Sequence, residues 1–90
     1  MTQIVVATEK YAFNHMSAIM AAKLLSMKTG IPMVVRNSDY LLRLGLKPYV
    51  PAFLVESDAG SAIMLKSGCS SRHWEVMRQL ENALRDLRIT

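Results

Sequence analysis

The chain has 90 residues and a formal net charge of +4, with 51% hydrophobic and 20% charged residues. This composition is typical of a globular protein and excludes a disordered chain, and the length predicts one domain over residues 1–90. No apolar run approaches the roughly 18 residues that span a bilayer, and the N-terminus lacks the basic start of a secretory signal, so we expect a cytoplasmic protein with no membrane partner.

The cysteine, histidine and basic residues limit which disulfide, metal and nucleic-acid-binding sites the chain can form. The single cysteine, Cys69, excludes an intramolecular disulfide and a multi-cysteine metal site. His15 and His73 alone cannot close a zinc site and have no acidic residue in a recognised arrangement, so we interpret both as ordinary helix-end residues and expect no metal. The eleven Lys and Arg residues are dispersed, which favours a solvated surface and leaves a basic nucleic-acid-binding regulator as an alternative.

The first half of the chain predicts a strand, a helix, a strand and a short helix. Residues Gln3–Ala7 form a β-branched apolar run, which is short enough for a buried strand. The next helix should end near Gly30, because glycine serves as a left-handed cap and Pro32 cannot continue a helix. A second strand at Met33–Arg36 follows. Asn37 and Ser38 are good N-cap residues for a short helix at 40–44, which Gly45 ends. The predicted core stripe of the first helix, with spacings of three and four, is Phe13, Met16, Met20, Leu24 and Met27, widened by Ile19.

The second half predicts an antiparallel hairpin and a last helix. Residues 52–56 and 61–65 are apolar and are joined by Ser57-Asp58-Ala59-Gly60, a turn composition. The last helix should run from about 72 to 87. Its predicted apolar stripe is Trp74, Met77, Leu80, Leu84 and Leu87. The order is β-α-β-α-β-β-α, and the first two strands should be parallel because a helix-length crossover joins them.

A Val-Pro step stands directly before the third strand, in the segment Tyr49-Val50-Pro51-Ala52-Phe53-Leu54-Val55. Proline cannot donate a ladder hydrogen bond, so it belongs at the start of a strand, on an edge or at a bulge. The segment resembles the Val-Pro strand of the glutaredoxin and thioredoxin superfamily, and with the element order the resemblance covers nearly the whole chain. It implies an α/β fold, a single thioredoxin-like domain of the glutaredoxin type with a four-stranded mixed sheet flanked by helices. It also implies a cis bond between Val50 and Pro51.

The residues that carry redox chemistry in that superfamily are missing. Its Cys-x-x-Cys lies between the first strand and the first helix, where this chain reads Thr8-Glu9-Lys10-Tyr11-Ala12-Phe13-Asn14-His15. A dithiol oxidoreductase needs a low-pKa thiolate and a resolving thiol close to it. We therefore expect a divergent member without a dithiol active site and without catalytic residues.

A glutathione-dependent function is the main alternative. In glutaredoxins the turn before the last helix is similar to Gly-Gly-Cys-Ser-Asp and holds a carboxylate of glutathione by its backbone amides, and this chain has Ser67-Gly68-Cys69-Ser70-Ser71 there. The resemblance implies that Gly68, Cys69 and Ser70 bind that carboxylate, with main-chain contacts from Val50. An enzyme of this kind would use the hydroxyl of Tyr11 or the thiol of Cys69, and Thr8 is also placed for the hydroxyl role of a glutathione transferase. The same turn composition is needed merely to cap a helix, so we expect no cofactor.

Our first hypothesis is a non-catalytic protein that binds another protein. It would act as a homodimer, as a small modulator of a larger enzyme, or as an accessory protein of a virus or mobile element. A groove that once served peptide and thiol substrates can still bind a protein segment through aromatic anchors, and Tyr11 and Tyr49 should flank it. The expected binding residues are Lys10, Tyr11, Tyr49, Val50, Pro51, Gly68, Cys69 and Ser70.

Overall fold

The computed structural model describes residues 2–58, 60–65 and 73–86, with the backbone alone at 61–65 and 73. In these ranges the chain forms β1 (Gln3–Ala7), α1 (His15–Thr29), β2 (Met33–Arg36), α2 (Ser38–Arg43), β3 (Ala52–Ser57), β4 (Gly60–Leu65) and α3 (His73–Asp86). Helix α1 ends at the predicted glycine, since Gly30 adopts φ 77° and its N–H donates to the carbonyl of Ser26 at 2.8 Å. Helix α2 begins before the predicted residue 40, because the Asn37 side chain accepts a hydrogen bond from the backbone N–H of Tyr40 and caps the helix.

The strands lie in the order β2-β1-β3-β4. Strand β1 pairs in parallel with β2, with Val5 opposite Val34, as the helical crossover predicts. On its other side β1 pairs antiparallel with β3, where Val5 is opposite Leu54. The two central strands are therefore held on both edges, and their side chains alternate between the two faces of the sheet.

Each face of the sheet carries its own apolar cluster. Helices α1 and α3 cover one face, and α2 covers part of the other. The first cluster contains Ile4, Val6, Ala18, Ala21, Ala22, Leu25, Phe53, Val55, Val76, Leu80 and Leu84. The second, smaller cluster contains Val5, Ala7, Leu41, Ala52 and Leu54. The larger cluster is the main core, and α2 leaves the smaller one close to the surface.

The predicted fold class requires a correction. A glutaredoxin-type domain was expected, with a four-stranded mixed sheet flanked by helices in the order β-α-β-α-β-β-α. Backbone and side chains are both described for three strands, β2, β1 and β3, and these form a three-stranded mixed sheet that packs with three helices. Strand β4 is described by its backbone, which pairs antiparallel with β3. The packing of its side chains and the turn after it lie outside the described residues, so the glutaredoxin-type assignment is withdrawn in favour of a small α/β fold.

The predicted core stripe of α1 is wrong at four of its residues, while Ile19 and Leu24 are half-buried. Phe13, Met16 and Met27 are 83%, 69% and 74% exposed, and Met20 is 45% exposed. The buried face of α1 consists of Ala18, Ala21, Ala22 and Leu25. Both sets of residues have helical spacing, so spacing alone does not show which set is buried, and the larger hydrophobic side chains were expected inside. Three alanines allow the helix axis to approach the sheet more closely than methionines would.

The stripe of α3 is correct at Leu80 and Leu84, which are fully buried, and Met77 packs half-buried against the core. Trp74 was expected in the core and is 54% exposed. Val76 takes the inward position instead, and a residue two positions earlier in a helix points to the opposite side. Leu87 lies outside the described residues.

Candidate functional site

Three segments meet at one end of the sheet. Ala7, the last residue of β1, pairs with Ala52, the first residue of β3, and with Arg36, the last residue of β2. The β1–α1 loop, the start of α2 and the Val50–Pro51 segment must therefore lie at the same end. We call this surface, made of residues 8–14, 37–38 and 49–51, the Val-Pro end.

The β1–α1 loop is held by hydrogen bonds at its first residues. The N–H of Thr8 donates to the carbonyl of Arg36 at 2.8 Å, and the Thr8 hydroxyl lies 3.1 Å from Nδ1 of His15, the first residue of α1. Thr8 is 4% exposed. A short turn follows, in which the N–H of Ala12 donates to the carbonyl of Glu9 at 2.9 Å. The loop is thus fixed at both ends.

Glu9 joins the β1–α1 loop to helix α2. Its Oε1 accepts hydrogen bonds from the backbone N–H of Ser38 at 2.8 Å and from the Ser38 hydroxyl at 3.1 Å. A carboxylate at the first residues of a helix also interacts favourably with the positive end of the helix dipole. Sequence reasoning missed this contact, since the two residues are 29 positions apart and neither has a motif that indicates the pairing.

The aromatic residues of the Val-Pro end point into solvent. Tyr11 and Phe13 in the loop are 78% and 83% exposed, and Tyr49 is 61% exposed. Lys10 is also exposed, Val50 is half-buried and Pro51 is buried at the entrance of β3. The peptide bond between Val50 and Pro51 is cis. The topology therefore brings these predicted site residues to one surface, whereas Gly68, Cys69 and Ser70 lie outside the described residues.

An open pocket of about 390 Å³ lies beside Tyr49 on the α2 face of the sheet. Its lining residues are Leu41, Gly45, Leu46, Lys47, Tyr49, Ala52 and Leu54. The lining is mainly apolar, and Lys47 is the one cation among its described residues. Such a pocket suits an apolar side chain of a bound segment better than a charged small molecule. The sequence signal that could have located it is the short loop after α2, in which Gly45 adopts φ 76° and ends the helix.

Tyr40 and Glu56 belong to a polar cluster on the α2 face of the sheet. The Tyr40 hydroxyl donates to Glu56 Oε2, and Gln3 Nε2 donates to Glu56 Oε1 at 2.9 Å. The Arg36 guanidinium lies 5.7 Å from the centre of the Tyr40 ring, within cation–π range. The hydrogen bond to Glu56, then burial and the negative charge of Glu56, raise the pKa of the Tyr40 phenol, and Arg36 opposes this.

The raised pKa of Tyr40 predicts a loss of stability in alkali. In the unfolded chain the phenol releases its proton near pH 10.0, while in the folded chain it keeps the proton to higher pH. Its contribution is therefore complete below pH 10.0 and is lost as the pH rises through the raised folded pKa. Tyr40→Phe should reduce the free energy of unfolding by about 1 kcal/mol at neutral pH, and this difference should shrink above pH 10.0. Urea unfolding of the parent chain and of Tyr40→Phe, at neutral pH and above pH 10.0, measures this difference. An equal difference at both pH values would contradict the hydrogen bond as its source.

The catalytic chemistry open to the Val-Pro end is limited. Thr8 and His15 make a hydroxyl–imidazole contact, but the burial of Thr8 keeps a substrate away from its hydroxyl. Among the described residues there is no cysteine, and no group of three or more His, Cys, Asp or Glu side chains is placed to hold a metal ion. The exposed rings and the pocket are suited to binding.

The longest described helix is α1, with 15 residues, and no helix in the described ranges has the length and apolar character that crossing a bilayer requires.

Comparison with known proteins gives no match, whether with family models, with curated proteins or with solved structures. The resemblance of the Val50–Pro51 segment to the glutaredoxin superfamily therefore rests on the sequence of this chain.

Proposed function

We propose that this protein acts in the cytoplasm by binding another protein, without catalysis, either as a homodimer or as a small modulator of a larger enzyme. The proposal includes descent from a redox protein of the glutaredoxin superfamily that has lost its cysteine pair, which the Val50–Pro51 segment of the sequence supports. The binding surface is the Val-Pro end.

The observation that carries the proposal is the exposure of Tyr11, Phe13 and Tyr49 at one end of the sheet. Single exposed apolar residues are normal on protein surfaces. Several large rings on one end, next to an open apolar pocket, are typical of an interaction surface instead. Tyrosine is also enriched among the residues that contribute most to binding energy, because its ring buries a large area while its hydroxyl can still bind water or a partner.

The anchoring of the loop supports the same proposal. The Thr8–His15 contact and the two hydrogen bonds of Glu9 restrict the segment that presents Tyr11. A surface that is ordered before binding loses less conformational entropy on association, so the same contacts give a higher affinity.

Tyr11→Ala and Tyr49→Ala should each weaken binding of the partner by more than about 1 kcal/mol, a factor of about five or more in Kd. The partner is first identified by capture on the intact chain and mass spectrometry, and Kd is then measured with purified components. Leu42→Ala is the matched control, because Leu42 is 55% exposed on α2 and outside the Val-Pro end. Unchanged far-ultraviolet circular dichroism of each variant excludes misfolding. Lys10→Gln should act mainly on the association rate and its salt dependence, as rim charges do.

Two results would contradict protein binding at this surface. Binding that survives both tyrosine substitutions, falls steeply with salt and is lost on nuclease treatment would favour a nucleic-acid partner. Saturable turnover of a glutathione mixed disulfide or an electrophilic acceptor, abolished by Tyr11→Phe or Cys69→Ser, would establish the glutathione-dependent enzyme in its place.

A further inference from the structure

Helix α1 has apolar side chains on all sides, although it covers the sheet with only one of them. Its inner face is buried and consists mainly of alanine, while Met16, Met20 and Met27 on the outer face are 69%, 45% and 74% exposed. We call these three methionines, with Phe13 just before the helix, the α1 outer face. A surface helix normally carries polar residues on its outer side, and a helix that is apolar all round is normally buried all round. The outer face is therefore expected to be covered when the protein functions.

The α1 outer face has the length of a helix–helix contact. Met16 and Met27 are eleven residues apart, so the stripe is about 16 Å long, or three helical turns. Its spacing of four and seven residues matches the positions at which a partner helix inserts its own apolar side chains. Methionine is flexible and polarisable, so it can adapt its packing to an incoming surface.

The charge of this face indicates which partner it fits. Helix α1 contains no Asp or Glu, and its exposed Lys23 is three residues after Met20 and four before Met27, which places it on the same face. Lys28 is already paired with Glu81 at 2.9 Å. Lys23 has no such partner among the described ion pairs, and Lys10 adds a second exposed cation before the helix. The complementary surface is thus apolar with acidic residues.

A second copy of this chain is a poor occupant. Two-fold symmetry brings the same patch of both copies together. Lys23 is one residue from the middle of α1, so two α1 helices packed along their length would place the two ammonium groups at the same level. Like charges brought into one apolar interface cost free energy. An acidic side chain of a different protein removes that cost and pairs with the lysine.

We infer that the α1 outer face binds an amphipathic helix of another protein, whose apolar side packs on the three methionines and whose flank carries Asp or Glu next to Lys23. This rests on the proposed protein-binding function and adds a second surface and a partner chemistry to it. The Val-Pro end lies at the start of α1, so Tyr11 and Phe13 extend the same contact toward Tyr49.

Two designed peptides test the inference with the intact chain. Both form Leu-faced amphipathic helices about five turns long, and they differ only in carrying Glu or Lys along the flank of the apolar side. Fluorescence anisotropy should show that the Glu peptide binds at least about tenfold more tightly than the Lys peptide, and Met20→Glu should weaken it about tenfold. Lys23→Glu should reverse the preference of the chain for the two peptides. Leu42→Glu, at an apolar site on α2 that is 55% exposed, should leave both affinities unchanged.

The inference is overturned if the two peptides bind equally, if neither binds, or if Lys23→Glu leaves the preference unchanged. It is also overturned if the chain sediments as a dimer that Met20→Glu dissociates, or if it binds vesicles of phosphatidylserine and phosphatidylcholine through Met20 and not the peptides. The proposed function has its own readout in the effect of Tyr11→Ala and Tyr49→Ala on the captured partner. A partner whose binding needs both tyrosines but ignores Met20→Glu would leave that function standing and remove the inference about α1.

Discussion

Leu25→Ala should lower the free energy of unfolding by about 2–5 kcal/mol, whereas Met27→Ala, two residues further along the same helix, should change it by less than about 0.5 kcal/mol. Leu25 has no exposed surface and lies in the main core with Phe53 and Leu80. Its truncation removes buried apolar area and leaves a cavity that the surrounding side chains fill only in part. Met27 is 74% exposed, so its truncation removes little contact within the chain.

The pair is a sharp test because the two substitutions are chemically similar. Leucine and methionine are close in size, and both have good helix propensity, so the helix itself loses little in either variant. Urea unfolding followed by circular dichroism gives both values. If Leu25→Ala leaves too little folded protein to measure, Leu25→Met should still unfold cooperatively with a loss below about 1.5 kcal/mol. A larger loss for Met27→Ala than for Leu25→Ala would mean that α1 packs on the sheet with its methionine side.

The positions of the helices and strands were largely accessible from the sequence, because local signals mark them. The β-branched run Gln3–Ala7 forms β1 with the predicted bounds, and Gly30 ends α1 where a left-handed cap was predicted. Asn37 caps α2 as its residue type predicts, and the smaller error is the first helical residue, since α2 begins at Ser38 and not at Tyr40. Hydrogen-bonded caps and stiff side chains act within a few residues, so a sequence displays them directly.

The orientation of α1 was not accessible in the same way. Two stripes of helical spacing run along it, one of methionines and one made mostly of alanines. Hydrophobicity favours the methionines for the core, whereas the structure buries Ala18, Ala21 and Ala22. The choice depends on how closely the helix approaches the sheet, which is a property of the packed molecule. The chain has seven methionines, and a high methionine content is typical of adaptable binding surfaces as well as of cores.

The sequence likewise predicted some features of the candidate site and not others. The resemblance to the glutaredoxin superfamily implied that Tyr11 and Tyr49 flank one groove. The pairing of β1 with β3 brings both residues to one end of the sheet, where both are exposed. The contacts that hold the loop, Thr8 with His15 and Glu9 with Ser38, join residues that no motif links. Contacts between side chains distant in sequence depend on the final packing, and a single sequence does not specify them.

Ala21→Leu should lower the free energy of unfolding by about 1–3 kcal/mol, although it adds apolar surface and uses a residue with good helix propensity. Ala21 is fully buried in the cluster that joins α1 to the sheet. Close-packed interiors have no spare volume for three more carbon atoms, so the larger side chain forces α1 away from the strands or adopts a strained rotamer.

The control for this substitution is Met20→Leu on the outer face of the same helix. It keeps side-chain volume nearly constant at a position that is 45% exposed, and it should stay within about 0.5 kcal/mol of the parent. Unfolding in urea measures both changes. A neutral or stabilising Ala21→Leu would show that space remains between α1 and the sheet, and the alanine face would then no longer explain why the methionines are turned toward solvent. A loss in the expected range supports a helix held close to the sheet by its alanines, with its larger apolar side chains left free for a partner.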